Sequence, residues 1–267
     1  MDNRPIGVFD SGFGGLTAVR ALESLVPNEN IVYFADTARV PYGNRSPREL
    51  RKMALQDLDF VSGKGVKTVL VACGTVSSNA GDIIKSYPVP AFGVIDGAVE
   101  ALSGLDRKST VGVIATAASI KNGAFEKKIR ELYPEMKVIS VPCPEFVPLI
   151  EAGRTEKTDS GLMNAIEKYL APIKAAGAAA VILGCTHYGL IGEALRAYLG
   201  ESTQLVEAAC CAAEKIKAYL EENGLSGGSG EARFFTSGDP KEFSPLAARF
   251  LGHEVRGSVA GVEAMEI

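Results

Sequence analysis

The chain has 267 residues, of which 46 % are hydrophobic and 22 % charged, the composition of an ordinary globular protein rather than a disordered one. Lys and Arg number 28 against 32 Asp and Glu, a formal charge of −4 with no run of five like charges. That balance argues against nucleic acid or an anionic membrane as the partner. No apolar stretch reaches the roughly 18 uncharged residues a membrane helix needs, and Met1–Asp10 lacks the basic-then-apolar pattern of a secretory signal. A cytoplasmic location is the resulting expectation, with one large domain or two small ones at this length.

The elements follow in chain order. Pro5–Asp10 reads as a strand ending in an acid. Asp10-Ser11-Gly12-Phe13-Gly14-Gly15 comes next, and it fails the dinucleotide pattern because Thr17 stands where the third glycine belongs. No Lys-Ser/Thr follows, so it is not a Walker loop either; its backbone amides at a helix start suit a carboxylate. Glu29–Ala35 is a second strand. Ser46-Pro47-Arg48-Glu49 is a capping box with proline at the first helical position. The helix it opens runs through Met53, Leu55, Leu58 and Val61 and stops near Gly63 or Gly65, where glycine permits a left-handed cap. Lys67–Cys73, Val89–Ile95, Thr110–Ala115 and Lys137–Val141 continue the strands. Thr158–Ala176 reads as helix, Ala178–Cys185 and Gln204–Glu207 as strands, and Ala209–Glu222 as helix. Ser226–Gly230 (SGGSG) has a linker's composition but is too short to separate independent domains, so a surface loop is expected. Arg233–Ser237 is the last strand. The runs are short, β-branched and not alternating, as in parallel strands buried on both faces. Strands alternating with helices predict an α/β fold with a mostly parallel sheet.

A weak repeat runs through this order. Ile6-Gly7-Val8-Phe9-Asp10-Ser11 resembles Val111-Gly112-Val113-Ile114-Ala115-Thr116, and Val69-Leu70-Val71-Ala72-Cys73-Gly74-Thr75 resembles Val181-Ile182-Leu183-Gly184-Cys185-Thr186. On this reading each half is an α/β lobe with a cysteine at the carboxyl end of a strand, where open α/β sheets place their ligands.

Five cysteines, an odd number in a chain too long to need staples, read as free thiols in a reducing compartment. His187 and His253 are the only histidines, and neither CxxC nor HExxH occurs, so no metal is expected. Cys143 lies in a Pro-Cys-Pro turn and Cys210 and Cys211 in an alanine-rich helix, so these three read as packing residues. Cys73 and Cys185 each end an apolar run and precede small polar residues. At a strand end entering a helix N-terminus, the partial positive charge favours the thiolate.

Matched thiols in two similar halves ask for chemistry that uses both. Disulfide exchange lacks its CxxC spacing, and a single nucleophile leaves one thiol idle. Two-base proton transfer fits better: one thiol removes a proton from one face of a carbon, and the other delivers a proton to the opposite face, each acting as acid or base by direction. Asp10, ending the first strand, and His187, two residues after Cys185, are available to hold or relay protons. Their ordinary alternatives are a turn aspartate before Ser-Gly and a hydrogen-bonded structural histidine. Ser11, Gly74, Thr75 and Thr186 add small donors near strand ends, which suit a small carboxylate-bearing ligand.

With these residues in view, the chain resembles the glutamate racemases of the cofactor-independent aspartate/glutamate racemase superfamily. The likeness is nearly full length: IGVFDSGFGGLTAVRAL (Ile6–Leu22), YFADTARVPYGNRS (Tyr33–Ser46), VACGT (Val71–Thr75), GVIATAASI (Gly112–Ile120), VPLIE (Val147–Glu151), LGCTHYGLI (Leu183–Ile191) and TSGDPKEF (Thr236–Phe243). It implies two Rossmann-like or flavodoxin-like lobes with parallel-sheet cores, related by a pseudo-two-fold and enclosing glutamate in the cleft between them. The expected lobes are residues 1–97 plus 208–267, and 98–207. It also implies Cys73 and Cys185 as the acid/bases, Asp10 assisting the first and His187 the second, with Asp36 and Glu151 tuning them. Ser11, Pro41, Tyr42, Gly43, Thr75, Thr116, Ser119 and Thr186 fall at positions resembling substrate contacts. The implied protein is an isomerase with no cofactor, neither pyridoxal phosphate nor metal, a homodimer that supplies D-glutamate for peptidoglycan.

Three departures stand out. Gly74 replaces the asparagine usual after the first cysteine, whose amide contacts substrate. Losing one hydrogen bond to a charged group costs about 1.5–3 kcal/mol, enough to shift substrate preference. Gly189 replaces a proline after His-Tyr and loosens that loop, and Glu207-Ala208 replaces Asp-Ser. Two other readings therefore stay open: racemisation of another acidic amino acid such as aspartate, and a ligand-binding paralogue without turnover.

Overall fold

In the computed structural model, which describes residues 1–255 and 259–263, the strands are β1 (Ile6–Asp10), β2 (Ile31–Ala35), β3 (Thr68–Val71), β4 (Ala91–Gly93), β5 (Thr110–Ala115), β6 (Lys137–Pro142), β7 (Ala180–Leu183), β8 (Gln204–Glu207), β9 (Ala232–Thr236) and β10 (Val259–Gly261). They form two parallel sheets, ordered β10-β9-β2-β1-β3-β4 and β6-β5-β7-β8. Every residue of β1, β2, β3 and β7 is buried, which is why these strands read as continuous apolar runs.

The repeat read from the sequence is a repeat of topology. The order β2-β1-β3-β4 in one sheet matches β6-β5-β7-β8 in the other. Gly7 on β1 and Gly112 on β5 hold equivalent places, opposite Val69 of β3 and Val181 of β7. A Cβ on Gly7 would lie 2.3 Å from Val61 Cγ1, and one on Gly112 would lie 2.8 Å from Ile173 Cγ2. Each glycine thus lets one long helix, Pro47–Ser62 or Ser160–Ala175, lie close against its sheet.

The Pro47–Ser62 helix starts at the capping box expected, with Ser46 accepting from the Glu49 N–H at 3.3 Å and the Glu49 carboxylate accepting from the Ser46 N–H at 2.9 Å. It ends at Gly63, which keeps a right-handed φ of −61°; the left-handed glycine is Gly65, at φ +73°. The Ser226–Gly230 segment is a loop tied down at the base of the first sheet. The buried Lys67 ammonium donates to the Leu225 carbonyl at 2.8 Å and the Gly227 carbonyl at 3.2 Å, and Glu29 accepts from the Gly227 N–H at 2.9 Å.

That loop leads into β9, which pairs in parallel with β2, Ile31 opposite Ala232. The C-terminal stretch therefore extends the first sheet, and β10, which the sequence reading lacks, adds its edge. The helix Pro240–Leu251 after β9 runs back toward the cleft. Among the described residues no helix is long and apolar enough to cross a membrane.

Candidate active site

Parallel sheets place their strand ends on one side, and here the carboxyl ends of both sheets face one cavity of about 430 Å³. β3 ends at Val71, where its ladder with β4 closes, and Cys73 caps the short helix Gly74–Asn79. β7 ends at Leu183, and Cys185 caps the 3-10 turn Thr186–Ile191. The two thiols thus reach the cavity from equivalent corners of the two sheets. Among the described residues no Lys or Arg lines it; the charged and ionisable groups on its wall include Asp10, Glu151, His187 and the thiols. The hydroxyl-bearing Ser11, Thr75, Thr116 and Thr186 also line it, with His187, as donors an anionic ligand can meet.

On the first side, Asp10 does not bond Cys73 directly. The Cys73 thiol lies 3.6 Å from Ser11 Oγ, and Ser11 Oγ donates to Asp10 Oδ1 at 3.3 Å, so Ser11 stands as a relay between them. Asp10 is 1 % exposed and held on all sides. It accepts from the Ser11 N–H at 2.8 Å, from the Gly15 N–H, and from Thr186 Oγ1 of the other half at 3.2 Å. Burial pushes the Cys73 thiol well above the ordinary thiol range, and the Asp10 charge pushes it further. The helix-end and Ser11 hydrogen bonds act the other way and are smaller. The thiolate expected from the helix terminus is therefore not the resting form of Cys73: desolvation of a nearly closed-off sulfur outweighs the partial charge of a helix end.

The second side differs. Cys185 Sγ lies 3.8 Å from His187 Nδ1, and His187 Nε2 lies 3.2 Å from Glu151 Oε1. Burial alone would lower the imidazole pKa, but the hydrogen bonds to Cys185 and Glu151, with the Cys185 and Asp10 charges, outweigh it and raise His187 to about 10. The cavity thus holds a protonated thiol at Cys73 on one wall and an imidazolium at His187 on the other. The His187 ring also meets the Phe250 ring edge-on, centroids 5.3 Å apart, and Arg249 donates to the Glu151 carbonyl at 2.9 Å. Both residues come from the C-terminal helix, and the sequence reading did not reach them.

Of the residues named from the sequence, Cys73, Cys185, Asp10, His187, Glu151, Ser11, Pro41, Tyr42, Gly43, Gly74, Thr75, Thr116 and Thr186 line the cavity. Asp36 and Ser119 do not. Asp36 lies behind the wall, fully buried, bound by Arg39, the Tyr42 hydroxyl and Ser237 Oγ. Asp57 joins it, 2.7 Å from Arg39 Nη2 and 3.0 Å from the Tyr42 hydroxyl, and burial together with the Asp36 charge raises the Asp57 carboxyl well above the ordinary range. Asp36 therefore meets the cavity only through the Tyr42 wall and touches neither thiol. Ser119 holds Thr116, whose Oγ1 lies 3.1 Å from Ser119 Oγ and 3.0 Å from Thr75 Oγ1 across the cleft. Cys143, read as a packing residue, is fully buried and also forms part of the wall, with Val147, Pro148 and Tyr188. Val147, Pro148 and Tyr188 lie inside the quoted VPLIE and LGCTHYGLI stretches; Cys143 carried no signal beyond its proline neighbours. Among the described residues no group of His, Cys, Asp or Glu is placed to hold a metal ion.

Comparison with known proteins gives a consistent result. A model of the family described as Asp/Glu/Hydantoin racemase matches residues 6–216. The glutamate racemase of a Picosynechococcus strain is 41 % identical over 258 residues, covering 95 % of this chain and 91 % of its own. The crystal structure of the Francisella tularensis glutamate racemase in complex with D-glutamate superposes with a TM-score of 0.90 at 36 % identity, covering 99 % of each chain. That of the Thermus thermophilus glutamate racemase in complex with β-chloro-D-alanine gives 0.87 at 38 %, covering 98 % of each.

Proposed function

The chain belongs to the Asp/Glu/hydantoin racemase family, and on that premise we propose that it interconverts L- and D-glutamate by proton transfer between two thiols. The observation that carries this reading is the pair Cys73 and Cys185, facing one cavity from equivalent corners of two like sheets, each with its own proton-holding partner. The lobes that meet at the cavity are, on this reading, residues 1–97 with 208–267, and 98–207. As in the family, the assembly is a homodimer and the D-glutamate produced enters peptidoglycan.

The ligand's carboxylates bind the hydroxyl and N–H donors of the wall, and its ammonium group faces Asp10. One thiolate takes the α-proton and becomes a thiol. The electron pair left on the α-carbon delocalises into the α-carboxylate, where neutral donors stabilise the growing charge. The opposite thiol gives its proton to the other face and becomes a thiolate, so the site ends with its protonation reversed. Protonation on the first side then returns through Ser11 and Asp10, and on the second through His187 and Glu151. In one direction Cys73, a thiol at rest, is the acid, and a Cys185 thiolate paired with the His187 imidazolium is the base.

Incubation of each glutamate enantiomer in D₂O without added cofactor tests the reading. Loss of the α-proton signal with appearance of the other enantiomer on a chiral column is the expected result. Neither exchange nor inversion from folded protein would overturn it. Aspartate turnover and a purely binding role are not favoured: the relatives named above are glutamate racemases, and a binding protein has no chemical need for both thiols and both partners.

The pH dependence carries a sign. A raised His187 pKa keeps the imidazolium through neutral pH and loses it as pH climbs toward about 10. With the imidazolium that pairs with the Cys185 thiolate gone, kcat/KM should fall on that alkaline limb. Glu151→Gln removes one of the groups that raise His187, and the limb should move to lower pH. An alkaline limb at the wild-type position in Glu151→Gln would exclude Glu151 from this role.

A further inference from the structure

The Pro47–Ser62 helix buries one face, made of Leu50, Met53, Ala54, Asp57, Leu58 and Val61 at spacings of three and four. Asp57 is the single acid on it and is fully buried, where the pattern calls for an apolar residue. Among the described residues its hydrogen-bond partners are Arg39 Nη2, 2.7 Å from Oδ1, and the Tyr42 hydroxyl, 3.0 Å from Oδ2. The same hydroxyl reaches Asp36 Oδ2. A phenol has one proton to give, and burial with two acid neighbours pushes its loss far above the ordinary range. Given to Asp36, that proton leaves the Tyr42 oxygen facing Asp57 Oδ2 lone pair against lone pair, unless Asp57 carries a proton of its own. Given to Asp57, it sets the same problem at Asp36. The donors decide between them. Asp36 also collects Arg39 Nε on Oδ2 and the Ser237 hydroxyl on Oδ1 at 2.8 Å, whereas Asp57 collects Arg39 Nη2 alone. More donors favour the charged form of a carboxyl, so the extra proton belongs on Asp57. Burial and the Asp36 charge push Asp57 the same way, against Arg39. On the cavity side, Tyr42 forms the wall with Pro41 and Gly43. A Cβ on Gly43 would lie 3.6 Å from Thr116 Cβ, so the wall stands close against Thr116, whose hydroxyl meets that of Thr75 across the cleft.

We propose that Asp57 is a positioning residue for the reaction: as an un-ionised acid it donates to the Tyr42 hydroxyl, which donates to Asp36, and this directed chain holds the Pro41-Tyr42-Gly43 wall against Thr116. The inference rests on the two-thiol reading above and deepens it at the substrate wall. Without the acid, the Tyr42 hydroxyl is free to turn off Asp36 and the wall draws back. A ligand bound to the Thr75 and Thr116 hydroxyls then loses part of its enclosure. Proton transfer at the thiols does not pass through the chain, so the loss falls on KM more than on kcat. A carboxylic acid and a carboxamide share one pattern, an oxygen that accepts beside an atom that donates. Asparagine at 57 therefore keeps both bonds, accepting from Arg39 and donating to Tyr42. An ionised Asp57 serving as the salt-bridge partner of Arg39 could not be replaced in this way, because removing one partner of a buried pair is strongly destabilising.

Asp57→Ala and Asp57→Asn carry the test. In Asp57→Ala, KM for glutamate should rise about tenfold while kcat stays close to wild type, and Asp57→Asn should restore both KM and the melting temperature. A crystal structure of Asp57→Ala should show the Tyr42 hydroxyl turned off Asp36 and the wall drawn back from Thr116. Infrared difference spectra at neutral pH add a signature that packing alone does not produce: the carbonyl stretch of an un-ionised carboxylic acid, present in wild type and missing from Asp57→Asn. No such band in wild type, a KM in Asp57→Asn as high as in Asp57→Ala, or a wild-type KM in Asp57→Ala each overturns the proposal. A packing defect would lower the melting temperature and leave KM alone, which also counts against it. Should Asp57→Ala yield no folded protein, the other two measurements decide: the acid band with wild-type KM in Asp57→Asn supports the proposal, and either one missing refutes it. If wild type does not turn over glutamate, the substrate reading fails, while the acid band and the place of the wall in Asp57→Ala still decide this inference.

Discussion

Replacing Cys73 with serine is expected to cut racemisation at least a thousandfold while leaving one-sided exchange intact. The substitution is nearly isosteric, and Cys73 is 4 % exposed, so the loss comes from chemistry and not from packing. A serine hydroxyl holds its proton far above working pH and cannot serve as a matched base; positioned acid–base groups contribute about 10²–10⁴-fold each. Cys185 keeps its imidazolium neighbour and should still remove and return a proton on its own face. In D₂O, Cys73→Ser should therefore wash deuterium into one enantiomer with retention, and Cys185→Ser into the other. The two variants must show opposite enantiomer preference. Inversion within tenfold of wild type in either variant, or the same enantiomer exchanging in both, would refute two-base transfer. The measurement is proton NMR of the α-position with chiral analysis of the same samples.

Asp10→Asn should be the second most damaging change, for two reasons that can be separated. The first is catalytic: the relay from Cys73 through Ser11 loses its terminal acceptor, and a loss of about 10²-fold or more is expected. The second is structural. One Asp10 oxygen accepts from the Ser11 N–H and hydroxyl, the other from the Gly15 N–H and the Thr186 hydroxyl. Whichever way an asparagine turns, its NH₂ faces a backbone N–H. Leaving buried partners unpaired costs about 1–3 kcal/mol, so the melting temperature should fall too. Because L- and D-glutamate are mirror images, their kcat/KM values must stay equal in any variant. Asymmetry appears instead in the primary deuterium isotope effects, which should become unequal for 2-deuterated L- and D-glutamate as proton transfer at Cys73 becomes the slower step. Equal isotope effects with unchanged turnover would remove Asp10 from the relay, whatever the melt shows.

These expectations turn on contacts of different legibility. Cys73 and Cys185 could be found from local pattern alone: a buried parallel strand is a run of apolar residues, it stops where the polar residues begin, and a residue at its carboxyl end faces the ligand side. The same logic exposed Asp10 and the Gly7 and Gly112 repeat, since each of these features is set by a run of a few neighbouring residues. The capping box at Ser46 was equally plain, because a cap is a contact between residues three apart.

Local pattern thus specifies the α/β alternation, the repeat of two like halves and the position of both thiols at strand ends. How those thiols are served emerges only when the halves come together. Folding puts Ser11 between Asp10 and Cys73, sets Asp36 behind the Tyr42 wall, and brings Phe250 and Arg249 from the far end of the chain onto His187 and Glu151. It also reverses the expected effect on Cys73, because a helix terminus is visible in the sequence while the closing of the cavity over the sulfur is not. Strand and helix periodicities are set by neighbours along the chain, whereas distances across the cleft follow from how two finished halves pack, and that packing is written in no local spacing.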